Sequence, residues 1–315
     1  MSRVSSGPAV IAVDIGGTKS AAALVRDGIR VEHRVERATP AAVGAGAILD
    51  AAADAVRQVV AAAGHAEIAG VGVGSAGAFD EHGVVTHATE HLAGWPGTPV
   101  AAALSDRVGL PVRVVNDVHA AALGEVASGA PSRRFVFVAV GTGIGGAIVS
   151  DGVLLRGASG MAGSVGHVRA ATMRGRVCAC GGEDHVEAFA SGPGMELSFA
   201  ERAGVRMPLR EVARRARAGD PAAVEVIAAA ATELGRSLAP AVTVVDPDAI
   251  VLGGGVSAIG PAWTAPLAAG LRAALRPPFS EVAVTVARAG VDAALLGAAS
   301  LVGGVIGADR GCRVR

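Results

Sequence analysis

Apolar positions along this chain fall into short unbroken runs divided by glycine or polar turns, and these alternate with stretches of helical period. Three short runs come first, at 9–13, 20–25 and 29–35. The last two are joined by Asp27-Gly28, a two-residue hairpin signal. Ile48, Ala52, Val56 and Val59 then share one face of a helix predicted over 45–63. A buried strand follows at 68–74, a helix at 101–108, a strand at 111–115, and a helix at 118–127 that begins directly after Asn116-Asp117. From residue 135 the pattern starts again, with strand 135–140, glycine turn 141–146, strand 147–150, an Asp151-Gly152 hairpin and strand 153–155. The segments IAVDIGGTKSAAALVRDG and VAVGTGIGGAIVSDG thus repeat one plan, which predicts two similarly built α/β domains facing each other. A mostly helical stretch occupies 187–244. Strand 249–252, a Gly253-Gly254-Gly255 turn, a helix, strand 282–287 and an apolar helix over about 292–305 complete the order.

Composition narrows the class. With 315 residues and 51% apolar content the chain can bury two cores. Formal net charge is zero and no block of like charge stands out, so no nucleic-acid surface is expected. The arginine-rich run 210–217 reads as a solvated helix face. No charged leader with a cleavable apolar stretch precedes the first strand, and no window is long and apolar enough to span a membrane. Three cysteines make no disulfide framework, and Cys312 reads as a bystander. A soluble cytoplasmic protein without membrane or nucleic-acid partners is the expectation.

Lys19 is the only lysine in the chain; every other basic residue is Arg. It ends the run Val13-Asp14-Ile15-Gly16-Gly17-Thr18-Lys19, behind two glycines and a strand-end carboxylate. A compact ammonium there suits a phosphate or phosphate–metal site that a planar guanidinium would not fit, although a lysine-poor composition must leave its one lysine somewhere. Gly141, Gly143 and Gly146 match the dinucleotide-binding spacing, but a strand and hairpin follow instead of the helix that motif needs. Both glycine turns instead offer unhindered backbone N–H groups to phosphate oxygens, with Thr18 and Thr142 adding hydroxyls; each turn alone is equally an ordinary tight bend. Asn116-Asp117 is either a plain helix N-cap or strand-end chemistry. His167, Cys178, Cys180 and His185, spaced H-x10-C-x-C-x4-H, form a four-ligand zinc set with no open position, the structural type.

Taken together, these segments resemble the ROK family of sugar kinases and sugar-responsive repressors over nearly the whole chain. DIGGTK at 14–19 and GTGIGG at 141–146 look like its two phosphate motifs. GWPGTPV at 94–100, NDVHAAALGE at 116–125 and the stretch 163–191 look like its W-x-x-x-P-L, N-D-A-N-A-A-A-x-G-E and GExGH…CxCGxxGCxExxxS segments. The resemblance implies an actin-like, hexokinase-type ATPase fold of two RNase H-like domains around a cleft. One domain is expected over 1–117, completed by the C-terminal helix at about 291–306. The larger one, at 118–290, carries the zinc site and a helical insertion.

It further implies ATP-dependent phosphorylation of a hexose or N-acetylhexosamine at the 6-hydroxyl, in a homodimer. Asp117 takes the place of the catalytic base. Gly77, Asn116, Ser164, His167 and Glu187 join Asp117 around the sugar. Asp14, Gly16, Gly17, Thr18, Lys19, Gly141, Thr142, Gly143, Gly253, Gly254 and Gly255 face ATP, and Asp14 holds Mg2+. Three departures bear on substrate. Ser164 replaces a Glu that faces C1/C2 of the sugar, as N-acetylmannosamine kinases of this family also do. His185 replaces the third zinc cysteine, and His91 replaces an Asn. Two other readings stay open: a family regulator lacking its DNA-binding domain, with only thirteen residues before Asp14, and a non-catalytic sugar-binding scaffold.

Overall fold

The computed structural model describes residues 8–88, 92–130 and 132–302. In chain order the elements are β1 (Ala9–Ile15), β2 (Lys19–Arg26), β3 (Arg30–Ala38), α1 (Ala45–Ala63), β4 (Ile68–Ser75), β5 (Ala78–Phe79), β6 (Val85–His87), α2 (Val100–Val108), β7 (Val112–Asn116) and α3 (Asp117–Ala127). Then come β8 (Phe135–Val140), β9 (Ile144–Ser150), β10 (Val153–Leu155), α4 (Glu187–Ala190), α5 (Gly192–Ala203), α6 (Leu209–Arg217), α7 (Pro221–Val245), β11 (Ala249–Gly253), α8 (Pro261–Ala274), β12 (Ala283–Val286) and α9 (Ala293–Ser300).

Two compact units result. Among the described residues, the first takes those up to 133, then 151–162, then 288–302. Its sheet runs β3-β2-β1-β4-β7, antiparallel through β1–β3 and parallel from β1 to β4 and β7. β1 is central and covered on both faces, so its apolar run is continuous rather than alternating. Ile11, Val13 and Ile15 point into the core under α1, while Val10 and Ala12 point toward Leu295, Leu296 and Ala299 of α9. β3 is the edge strand, and it carries exposed charge at Arg30, Arg34 and Glu36.

The second unit takes 134–150 and 163–287. Its strands β9-β8-β11-β12 repeat the order and directions of β2-β1-β4-β7, as the sequence echo predicts. Val136, Val138, Ile250 and Leu252 pack against Leu234 and Leu238 of α7 and Trp263 and Leu267 of α8. Asp220 caps α7 by accepting from Ala222 N and Ala223 N, with Pro221 at its first turn.

The division differs from the expected one in two places. α3 and segment 151–162 fall in the first unit, not the second. Asn116 and Asp117 share a strand–helix junction whose helix packs on α9, so a cut at residue 117 would split one packed layer. The short pair β5–β6 was not expected, because two- and three-residue strands leave no periodicity to read. β9 begins at Ile144 and β2 at Lys19, so both glycine turns are shorter than the sequence indicated.

Candidate functional site

Asp14 lies near the carboxyl end of β1, opposite Gly74 of β4, and Ser75 lies opposite Asn116 of β7. The carboxyl ends of adjacent parallel strands are where open α/β sheets gather ligand chemistry. Burial, reinforced by the Asp117 carboxylate and opposed by the Arg34 guanidinium, raises Asp14 to about 6. Asp117 is raised as well, chiefly by burial, against the backbone N–H of Val118 and the Asn116 side chain, which favour its ionised form. Two carboxylates held close and out of water are a charge problem that a divalent cation solves, so the donor set fits Mg2+ at Asp14.

Asn116 does two things at once. Its Oδ1 caps α3 by accepting from Val118 N at 2.9 Å and His119 N at 3.2 Å, so the plain N-cap reading of this residue is true. Its Nδ2 also donates to Gly77 O at 3.0 Å, which ties the Gly77 loop to the strand end that presents Asp117. The first glycine turn closes by Gly16 N to Lys19 O at 3.0 Å, leaving Gly17 and Thr18 exposed. Lys19 opens β2 and stands mostly in solvent, its Nζ 3.8 Å from Glu36.

In the second unit the turn at Gly141–Gly143 borders a cavity of about 440 Å³. Thr142, Pro193, Leu209, Val256 and Ile259 give it a largely apolar wall, and Glu196, Arg210 and Arg217 add charge. Of Gly253, Gly254 and Gly255, only Gly255 lines it. Gly253 ends β11, and a Cβ on Gly254 would fall 2.3 Å from Val140 O, so these two serve close packing against β8. α6 keeps the solvated arginine face expected of it, with Arg210, Arg214 and Arg217 exposed. Arg214 and Arg215 pair with Glu211, and Arg210 and Arg217 also border the cavity. Their spacing with Ala213 (i, i+3, i+7) was the available signal.

Glu187, first residue of α4, accepts from Ile144 N through Oε2 at 2.7 Å. Its Oε1 lies 3.3 Å from Cys178 Sγ. Ser164 precedes the short helical turn Val165–His167 and is half-buried. Cys178, Cys180, His167 and His185 converge, with one ligand atom from each within 4.8 Å of the others. Cys180 Sγ is 3.1 Å from His185 Nδ1. A tetrahedral zinc shell has edges of about 3.5 Å, close to this spacing. His167 Nδ1 is buried without a hydrogen-bond partner, and burial pushes the Cys178 thiol up to about 12. An orphaned lone pair and a thiol barred from ionising are both relieved by a metal cation, so the residues fit zinc. Asp184 steadies the approach to the cysteines, accepting from Arg174 N and Arg176 N at 3.0 Å.

The ROK family pattern matches residues 10–304. An N-acetylmannosamine kinase of Citrobacter koseri is 37% identical over 93% of this chain and 98% of that protein. The chain belongs to the ROK family. A second N-acetylmannosamine kinase, from Salmonella typhi, is 35% identical over the same shares. Among solved structures, the ROK hexokinase of Thermus thermophilus superposes with a TM-score of 0.81 at 34% identity, covering 92% of this chain and 96% of its own. A ROK glucokinase of Streptomyces griseus, solved with glucose and AMPPNP, gives 0.80 at 33%, covering 93% and 98%. The fold class is therefore the actin-like one expected for a ROK protein.

His91 lies outside the described residues. Among the described residues no helix is long and apolar enough to cross a membrane. Sequence reading also left one buried carboxylate of the ROK segment 116–125 without a role. Glu125 accepts from Arg288 N at 2.9 and 3.0 Å and Ala289 N at 2.8 Å, anchoring the chain where it re-enters the first unit.

Proposed function

We propose that this ROK protein is an ATP-dependent sugar kinase that transfers the γ-phosphoryl group to the 6-hydroxyl of a hexose or N-acetylhexosamine. The observation that carries this reading is the pair Asp14 and Asp117, two desolvated carboxylates at strand ends, one suited to a cation and one to a proton. Asp117 accepts the hydroxyl proton as that oxygen attacks phosphorus. Burial raises its proton affinity above that of an ordinary carboxylate, which suits a general base. Asn116 and the Val118 N–H orient that carboxylate, and the resemblance assigns Gly77, Ser164, His167 and Glu187 to sugar binding as well. On the donor side the resemblance assigns phosphate oxygens to the exposed turn at Gly17–Thr18, which Gly16 closes, and to the turn at Gly141–Gly143. Lys19 adds a cation, and the 440 Å³ cavity takes the nucleoside. Mg2+ at Asp14 would neutralise phosphate charge, and zinc in the His/Cys cluster would brace His167. Phosphoryl transfer asks the residues mainly for positioning and electrostatics.

N-acetylmannosamine is the first acceptor to test. The short hydroxyl of Ser164 leaves room beside C2 that a Glu would fill, and the relatives from Citrobacter koseri and Salmonella typhi carry that name. Glucose is the second, supported by the glucokinase neighbour. The family resemblance alone supports a cytoplasmic homodimer, which the mass in solution would test.

A coupled ADP-release assay over N-acetylmannosamine, N-acetylglucosamine, glucose, mannose and fructose decides the acceptor. The expected result is strictly sugar-dependent release, with kcat/KM highest for N-acetylmannosamine. No sugar-dependent release from metal-replete protein would favour the scaffold reading, and glucose ahead of N-acetylmannosamine would overturn the role given to Ser164.

A further inference from the structure

We propose that Glu187 is a positioning residue coupling the His/Cys cluster to the second glycine turn, so that metal and nucleotide strengthen each other's binding. Its carboxylate touches both places. Oε2 receives Ile144 N at 2.7 Å, where β9 leaves the turn, and Oε1 meets Cys178 Sγ at 3.3 Å. The residue stands two positions after His185, so a metal that fixes His185 restrains this carboxylate through the backbone, while Cys178 on becoming a thiolate would give up the S–H it donates to Oε1 and leave that oxygen to the turn side.

The turn cannot move independently of it. A Cβ on Gly143 would lie 2.7 Å from Oε2, so the carboxylate fills the space directly under the turn. A second link follows along the chain, where Gly192 N donates to Gly141 O at 2.8 Å just beyond α4. A ligand shifts an equilibrium only through its unequal affinity for two states. Metal at the cluster restricts the turn to one arrangement, so nucleotide pays less to order it. The coupling is reciprocal: nucleotide must tighten metal by the same factor. This rests on the reading that phosphates bind at Gly141–Gly143.

The test uses the full-length protein. Zinc affinity is measured by competition with a chromogenic chelator, with and without a non-hydrolysable ATP analogue. Analogue affinity is measured by calorimetry on zinc-loaded and zinc-stripped protein, without sugar. We expect both ratios to agree at about fivefold or more, within the usual range for coupled sites. Glu187→Ala should keep its zinc, weaken the analogue and bring the ratio toward one, with only the Gly192–Gly141 link left. Glu187→Asp, which keeps the charge but withdraws it from the turn, should do the same if the alanine variant does not fold. A wild-type ratio of one, or coupling unchanged in the variants, overturns the proposal while leaving the kinase reading intact. Failure of zinc-loaded protein to bind the analogue at all would remove the donor-site reading and the proposal with it.

Discussion

Replacing Asp14 by Asn should stabilise the ligand-free protein, and by an amount that grows with pH. In the fold Asp14 titrates at about 6 rather than the usual 3.8, because burial and the nearby Asp117 disfavour its charge. A carboxyl whose folded value is raised contributes stability at low pH and loses it as pH climbs through the window from 3.8 to 6. Above that window the ionised group costs the fold about 3 kcal/mol, at 1.36 kcal/mol per pH unit. At pH 4.5 the same arithmetic gives about 1 kcal/mol. Asn carries no charge at any pH, so its gain over wild type should rise by about 2 kcal/mol between pH 4.5 and pH 7.5. Any fixed cost of burying an unbonded amide cancels in that difference. Denaturant unfolding of both proteins at the two pH values, with Mg2+ chelated, reads it directly. The variant should also lose Mg2+-dependent turnover, the exchange of stability for activity expected where like charges are held together. A gain that is flat across pH, or absent, would refute the claim that Asp14 and Asp117 confront each other in a desolvated site.

Asp117→Ala should lower kcat by about 10²–10⁴-fold and leave sugar affinity by calorimetry largely unchanged; a variant retaining more than about a tenth of the wild-type rate shows that Asp117 is not the base. Asn116→Ala removes the cap from Val118 N and His119 N together with the bond to Gly77 O. It should cost about 1–2 kcal/mol in the denaturant midpoint and raise the sugar KM, and an unmoved midpoint would mean the cap is idle. Cys178→Ser should take bound zinc, measured by elemental analysis, from about one ion per chain, as a four-ligand site holds, to a small fraction and lower Tm, whereas full zinc retention would exclude Cys178 as a ligand.

Much of this architecture was legible in the chain because it follows from local rules. The β1–β3 and β8–β9 hairpins are short apolar runs bounded by turn residues, α1 has a period of 3.6 and the last helix is apolar throughout, and those need no partner to be recognised. The repeat of strand, glycine turn, strand and Asp-Gly likewise survives into two sheets of matching strand order. The His/Cys spacing pointed to a set that the fold does bring together.

Contacts between residues far apart in sequence were beyond that reach. Spacing puts Arg210, Ala213 and Arg217 on one side of α6 but does not say that this side borders a cavity, whose other walls come from Gly192, Pro193, Glu196, Val256 and Ile259. Nor does spacing reveal that Glu187 sits under the turn at Ile144, or that Glu125 holds the backbone at Arg288. The sequence by itself determined which elements form and which residue types could do chemistry, because dihedral preference and side-chain period act within a few residues. The tertiary structure alone decided which of those groups lose water and meet, and desolvation is what turns an ordinary aspartate such as Asp14 into one that titrates at about 6.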